Sequence, residues 1–366
     1  MKVGVLTSSR ADYSIYFPLL KALSADSNFS VEIIAFGTHL SEFHGHTIKR
    51  IEEDGFEIPY RLLTYPENDT SESIANAMGV TMSRFSALWS KTKFDLVLCM
   101  GDRYEMFAAC ASSVPFNIKL AHIHGGEETL GAIDNIFRHS ITHMACYHFT
   151  AAEIYKQRVI ELRGSDCNVF NVGSLSIDNL KELKLYTVEE IKTHFDIDLS
   201  QPSILITFHP ETVSLDKSEF FIQELLTALE SVSEYQFIFT MPNADMTGAM
   251  IRDSITKFAS RTPRAKVIES FGTVGYLSCM KHCEFMIGNT SSSFIEASFF
   301  PKFVINLGDR QKGRILTPNI YSCAIEQQKI IDGINKYKEV QLIKNDNIYG
   351  NGTAALKIME ILNGIK

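Results

Sequence analysis

At 366 residues the chain is long enough for two domains, each with its own core, and its 45% hydrophobic and 21% charged content is that of an ordinary globular protein. A net charge of −8 excludes a nucleic-acid scaffold, because a phosphate backbone needs a basic face, so any anionic ligand must be held locally. No apolar run approaches the ~18 residues of a membrane span, and the start lacks a signal peptide's cleavage region; cytoplasmic is the expected location, with no membrane partner.

Val3–Thr7 reads as a short buried strand, and the apolar spacing of Ile15, Leu19, Leu20 and Leu23 predicts a helix from Tyr13 to Ala25. Ser8-Ser9-Arg10-Ala11-Asp12 lies between them. A strand that runs through small residues into a helix start offers free amides and a helix dipole to an anion, and Arg10 in that turn favours phosphate over a plain surface charge. Neither the dinucleotide fingerprint nor the P-loop pattern is present. Phe29–Phe36 is the next strand, running into Gly37-Thr38-His39-Leu40. A short helix follows at Thr47–Asp54, and a longer amphipathic one at Asn76–Lys91.

The stretch from Asp95 to His139 organises the first half. Two apolar strands, Leu96–Met100 and Ile118–Ile123, empty into turns crowded with ionisable groups, Gly101–Glu105 and His122–Asp134. A helix from Ile133 to Cys146 carries Asp134 and Arg138 one turn apart on one face. Two short strands, Tyr147–Thr150 and Val169–Val172, follow, and Gly173–Gln201 is read as the boundary region. The second half repeats strand, polar turn and helix: Ile204–Phe208 into His209-Pro210-Glu211-Thr212, Phe237–Met241 into Pro242–Asp245, Phe285–Ile287 into Gly288–Ser293, and Phe303–Leu307 into Gly308-Asp309-Arg310.

Strands that alternate with helices make parallel sheets with helices on both faces. The expected fold is therefore α/β, two Rossmann-like doubly wound domains facing across a cleft. Residues 1–175 form the first, carrying most acid/base groups, and 176–345 the second. Residues 346–366 supply a C-terminal helix packing back on the first. The seven cysteines are scattered through apolar segments, as reduced core residues would be. Cys279-x-x-His282-Cys283, His44/His46 and His122/His124 lack the further ligands of a zinc site, so no metal is expected.

Asn289-Thr290-Ser291-Ser292-Ser293, a glycine-led run of hydroxyls read as a helix start, suits a diphosphate, though Ser and Thr are favoured caps in any case. Glu296 beyond it suits ribose hydroxyls. Asp102, Glu127, Asp134 and His124, with Arg103 and Arg138 beside them and His209 from the second domain, are candidate acids and bases. Each alone could be a capping carboxylate or a satisfied core histidine. Clustered at strand ends of one sheet they point to proton transfer, since neighbouring carboxylates split each other's pKa values.

In order along the chain, Ser9-Arg10-Ala11-Asp12-Tyr13, Gly37-Thr38-His39-Leu40, Gly101-Asp102-Arg103-Tyr104-Glu105, His122-Ile123-His124-Gly125-Gly126-Glu127, Gly131-Ala132-Ile133-Asp134 with Arg138-His139, His209-Pro210-Glu211-Thr212 and Gly288-Asn289-Thr290-Ser291-Ser292 resemble the hydrolysing UDP-N-acetylglucosamine 2-epimerases of bacterial sialic acid synthesis. The resemblance implies the two-domain GT-B fold, with 176–345 as the nucleotide-binding domain, and release of UDP and free N-acetylmannosamine, by elimination to a 2-acetamidoglucal and rehydration, without metal or NAD. It implies catalytic roles for Asp102, Asp134 and Arg138. His124 stands where many relatives carry glutamate, so Glu127 or His124 itself could move the protons. Arg10, Ser14, His39, Arg103, His209, Asn243, Asp245, Phe271, Thr290, Ser291, Ser292 and Glu296 are the residues expected to hold the UDP-sugar, and a homodimer or homotetramer is the expected assembly. A 2-epimerase for a 2,4-diacetamido UDP-sugar of legionaminic acid synthesis carries nearly the same motifs, and a GT-B glycosyltransferase shares the fold.

Overall fold

The computed structural model describes residues 1–42, 45–242, 247–343 and 348–365. By its contacts the chain divides into two units. The first comprises residues 1–127, 134–181 and 348–366, the second 128–133 and 182–347.

The first unit is built on a seven-stranded parallel sheet of β1 (Lys2–Thr7), β2 (Ser30–Phe36), β3 (Tyr60–Leu62), β4 (Leu96–Met100), β5 (Leu120–Ile123), β6 (Tyr147–Thr150) and β7 (Val169–Asn171), in spatial order β3-β2-β1-β4-β5-β6-β7. Period-2 alternation sends Leu96, Leu98 and Met100 into one core layer and Val97 and Cys99 into the other, so β4 is buried throughout. The order reverses direction between β1 and β4. That switch point is where an open parallel sheet splays its loops apart for a ligand, and both flanking turns, Ser8–Asp12 and Gly101–Arg103, emerge there.

The second unit repeats the scheme with β8 (Ser203–Thr207), β9 (Gln236–Thr240), β10 (Ala265–Ile268), β11 (Phe285–Gly288), β12 (Phe303–Leu307) and β13 (Ile320–Cys323), all parallel, in order β10-β9-β8-β11-β12-β13. Its switch point lies between β8 and β11, which deliver His209 and Asn289.

The expected boundaries shift in three places. Residues 175–182 form a helix, Leu175–Glu182, rather than a linker, and it stays with the first unit because the Asp178 carboxylate caps the C-terminal helix Ala354–Gly364, accepting from the amides of Ala354 (3.0 Å) and Ala355 (2.7 Å). A second helix, Val188–Phe195, also lies in the supposed boundary region, opened by a capping box of Thr187 and Glu190. Residues 128–133, placed by sequence in the first domain, pack in the second unit. Leu130 N–H donates to the Lys312 carbonyl (3.1 Å), Ile133 N–H donates to Thr212 Oγ1 (2.9 Å), and Gly131 lies so close to the Asp309–Arg310 backbone that a Cβ would meet it at 2.5 Å.

Candidate functional site

In the first unit, β4 and β5 end side by side, and the helix Asp134–Met144 runs beside their turns. Asp134, Arg138 and Thr142 fall on one helical face. Arg138, 2% exposed, binds both turns at once. Its Nη1 donates to the His124 carbonyl at 2.7 Å, its Nη2 donates to Asp102 Oδ2, and Nη1 also lies 3.7 Å from Glu127 Oε2. A guanidinium presents donors in a fixed fork, so this one side chain sets the spacing of the two turns.

His124 sits at φ +64°, a left-handed conformation uncommon outside glycine, which turns its side chain back toward its own loop. There Nδ1 meets Glu127 Oε1 at 2.5 Å, with both residues buried. An ionised carboxylate only accepts, so Nδ1 carries a proton, and Nε2 is the ring nitrogen left to exchange one. Nε2 is buried and has no hydrogen-bond partner among the described residues. The arrangement is that of a base oriented by a carboxylate. Asp134, half-buried, begins the helix one turn before Arg138.

Arg103 is drawn toward a residue the sequence reading left out. Its Nε donates at 2.7 Å to Oε1 of Glu105, whose carboxyl is raised above the usual range by burial, with Arg103 opposing. Around the β1 turn, Asp12 accepts from the Ser8 and Ser9 amides, at 2.8 and 2.9 Å, and from the Thr7, Ser8 and Ser9 hydroxyls. Thr7 gives its only proton to Asp12, so it accepts from His39 Nε2–H (2.9 Å), and His39 Nδ1 accepts from Thr47 (2.8 Å). Burial lowers the His39 pKa against the pull of Asp12, and the ring is 0% exposed. His39, expected as a ligand contact, bonds Thr7 and Thr47 and so braces the turn. Arg10 is exposed at the start of the helix Arg10–Ala25, and Ser14 is half-buried one turn on, its carbonyl accepting from Asn179 at 2.6 Å.

In the second unit Asn289, 0% exposed, clamps the turn after β8: its Oδ1 accepts from the His209 amide and its Nδ2 donates to the His209 carbonyl, both at 2.8 Å. The Asn289 carbonyl accepts in turn from Arg310 Nη1 (3.0 Å) and Gln311 Nε2 (2.9 Å), and Glu211 Oε1 accepts from the Asp309 and Arg310 amides. Gly288 precedes the clamp at φ +150°, where a Cβ would lie 1.9 Å from the Thr207 carbonyl oxygen; no other residue fits.

The hydroxyl run does not open a regular α-helix. Ser291–Ser293 is a single 3₁₀ turn, and the helix beyond it, Glu296–Phe299, has only four residues, so the donors here are local amides and hydroxyls with little macrodipole behind them. Tyr276, whose hydroxyl is pushed far up by burial and so stays protonated, bonds Ser292 at 2.5 Å, and Thr290 Oγ1 lies 3.3 Å from the same oxygen. Phe271 is buried just before the Gly272–His282 helix, and Glu296 is half-buried. Asn243 and Asp245 lie outside the described residues, as does His44. Among the described residues no three His, Cys, Asp or Glu side chains gather as a metal site would require, and no helix is long and apolar enough to cross a membrane.

From sequence, Glu211 and Glu105 stand in the quoted motifs without a role, His122 is weighed only as a metal ligand, and Asn289 only as part of the hydroxyl run. An Asn directly after a strand-ending glycine was the one available signal, and it is a weak one.

A family model described as UDP-N-acetylglucosamine 2-epimerase matches residues 21–363. The chain is 36% identical over 325 residues to the GDP/UDP-N,N'-diacetylbacillosamine 2-epimerase (hydrolyzing) of Campylobacter jejuni, covering 88% of this chain and 84% of that protein. It is 34% identical over 367 residues to the polysialic acid biosynthesis protein P7 of Escherichia coli, covering 99% and 93%. Of solved structures, the Methanocaldococcus jannaschii UDP-GlcNAc 2-epimerase in complex with UDP-GlcNAc and UDP superposes with a TM-score of 0.84 at 20% identity, over the whole of both chains. The Neisseria meningitidis UDP-GlcNAc 2-epimerase bound to UDP-GlcNAc does so with 0.83, also at 20%. At that identity they speak for the fold, which is GT-B-like.

Proposed function

This chain belongs to the UDP-N-acetylglucosamine 2-epimerase family, and from that premise we propose that it is a hydrolysing 2-epimerase converting UDP-N-acetylglucosamine and water to N-acetylmannosamine and UDP. The bond between C1 and the diphosphate oxygen breaks as the C2 proton passes to an enzyme base, leaving a 2-acetamidoglucal. Water then adds its oxygen to C1, and a proton returns to C2 on the opposite face. What carries the reading is the buried constellation in the first unit: Arg138 holding Asp102 and the His124 carbonyl, and Glu127 holding His124 with Nε2 free of any described partner. His124 Nε2 is the group placed to accept a proton. Asp102 and Asp134 supply the second proton-transferring group, as general acid–base catalysis at two ring faces requires.

The second unit takes the nucleotide. Departure of UDP concentrates negative charge on the diphosphate, which donors already fixed in place stabilise without reorganising. The Thr290–Ser292 turn and His209, whose backbone Asn289 holds, are such donors, and Arg10, exposed at a helix start, is the first unit's own candidate anion contact.

A second reading has a specific ground: the Campylobacter relative at 36% identity, and a Legionella pneumophila relative at 29% over the full chain, are named for the N,N'-diacetylbacillosamine nucleotide sugar. One experiment separates the two. The enzyme is incubated in heavy water with each UDP-sugar in turn and the products followed by NMR. Free N-acetylmannosamine carrying deuterium at C2 is the expected result. Turnover of the diacetamido sugar alone moves the assignment to the second reading; sugar passed to an acceptor without glycal or free sugar rejects both.

A further inference from the structure

Behind Asp102 lies a second histidine, His122, which the proposed chemistry does not use. It is 0% exposed, on β5, with its side chain under the turn that ends β4. Nε2 lies 2.8 Å from the Gly101 carbonyl oxygen and Nδ1 lies 3.1 Å from Thr142 Oγ1. A carbonyl can only accept, so Nε2 carries the proton, and Nδ1 of the neutral ring accepts from the Thr142 hydroxyl. The ring's hydrogen bonding is thereby fixed in one tautomer.

Gly101 is the residue before Asp102 and sits at φ +75°. Its N–H donates to the Ile123 carbonyl (3.0 Å), and its own carbonyl accepts from His122, so the backbone on both sides of this glycine is tied to β5. Without the second tie, the Gly101–Asp102 peptide would have a glycine's freedom to rotate. Gly125 closes over the arrangement, since a Cβ there would meet His122 Nδ1 at 3.0 Å and Thr142 Oγ1 at 3.2 Å. Asp102 is therefore fixed twice, through its carboxylate by Arg138 and through its backbone by His122.

We propose that His122, oriented by Thr142, is a positioning residue that sets the direction of the Gly101–Asp102 peptide and so aims the Asp102 carboxylate. The inference rests on the reading of Asp102 as part of the proton-transferring site. Neutrality is part of the device, because a protonated Nδ1 would have to donate to Thr142 Oγ1, reversing that bond and turning the hydroxyl proton away. Burial enforces it, pushing His122 down to about 4 against the opposing bond to Gly101 and the charge of Asp102, with Arg138 adding repulsion. His148, its partner in register on β6, is itself pushed down to about 3 by burial.

A displacement near 1 Å of a catalytic group can cost about a hundredfold in rate. His122→Met removes the donor while keeping apolar bulk; His122→Gln returns an N–H near the position of Nε2. The expected outcome with the holoenzyme and a UDP-sugar that the wild type hydrolyses is a kcat lowered about ten- to a hundredfold in the Met variant, with KM steady and kcat largely restored in the Gln variant. Equal kcat in the two variants, or KM moving together with kcat, overturns the inference. Should the Met variant fail to fold, Thr142→Val decides: kcat down severalfold at unchanged KM supports the device, and wild-type kcat overturns it. Wild-type protein that releases no UDP from either candidate sugar is a different failure, that of the functional reading itself.

Discussion

The strand-end turns of the two units occupy the same topological place, at the switch point of a parallel sheet, and are built from opposite materials. In the first unit the turns are held by ionisable side chains in pairs, buried Arg138 with half-buried Asp102 and His124 with Glu127. In the second, the side chains facing His209 and Ser292 are neutral, the Asn289 amide and the Tyr276 and Thr290 hydroxyls, while the charged groups, Glu211 and Arg310, bond only to backbone there. The difference suits the roles proposed for each. Moving a proton requires groups whose charge can change and whose partners fix the direction of transfer. Holding a diphosphate requires donors whose state does not change, so that affinity is steady as charge builds up.

The largest effects expected from this contrast lie in the first unit. Asp102→Asn and Asp134→Asn should each lower kcat at least about a hundredfold, the usual scale of general acid–base catalysis, and Asp102→Asn should also lower the melting temperature, since it takes the charge from the partner of buried Arg138. Steady-state kinetics that found near-normal turnover would remove them from the chemistry. Glu127→Gln keeps the hydrogen bond to His124 but not the charge, and should cost on the order of tenfold or more in kcat.

Acid should also act on this unit selectively. His122 and His148 are neutral in the fold at a pH where the unfolded chain, titrating near 6.5, is protonated. The unfolded state therefore binds more protons between about pH 6.5 and 4, and stability is lost as pH falls through that window. For His122 alone the loss is roughly 3 kcal/mol by pH 4. Denaturant melts of wild type and His148→Phe across pH 7 to 4 check this; a flat wild-type profile contradicts it, and a shallower slope in the variant is the expected sign.

Smaller effects belong to the second unit. Asn289→Leu unties His209 from β11 and should weaken UDP about tenfold in a calorimetric titration, with a loss of stability besides, because two buried backbone groups lose their partner. Ser291 is exposed, so Ser291→Ala should weaken UDP only about fivefold, one hydrogen bond's worth, and leave the melting temperature alone.

Much of this was legible in the sequence, for reasons that differ between residues. Fully buried parallel strands such as Leu96–Met100 announce themselves as apolar runs, and the polar turn after each one marks the sheet's carboxyl edge. The pairing of Asp134 and Arg138 on one helical face follows from spacing alone, but that Arg138 reaches Asp102, 36 residues away, depends on β4 and β5 lying side by side. The Ser291 turn was overread as a helix start: Ser-rich caps and 3₁₀ turns share composition, and only the four-residue length of Glu296–Phe299 tells them apart. The helix Val188–Phe195 was missed although its capping box, Thr187 with Glu190, stands in the sequence, because its polar surroundings read as linker. His122 was invisible as a positioning group for a simpler reason. A histidine on a strand has many bland explanations, and the Gly101 carbonyl it binds is supplied by tertiary structure.

The division of labour is tested most directly by one titration paired with one exchange experiment on Asp102→Asn. The account predicts that this variant binds UDP within about twofold of the wild type while deuterium incorporation at C2 of the released sugar falls away with turnover. UDP affinity that falls in step with turnover would contradict it, since proton chemistry and nucleotide binding would then share one site.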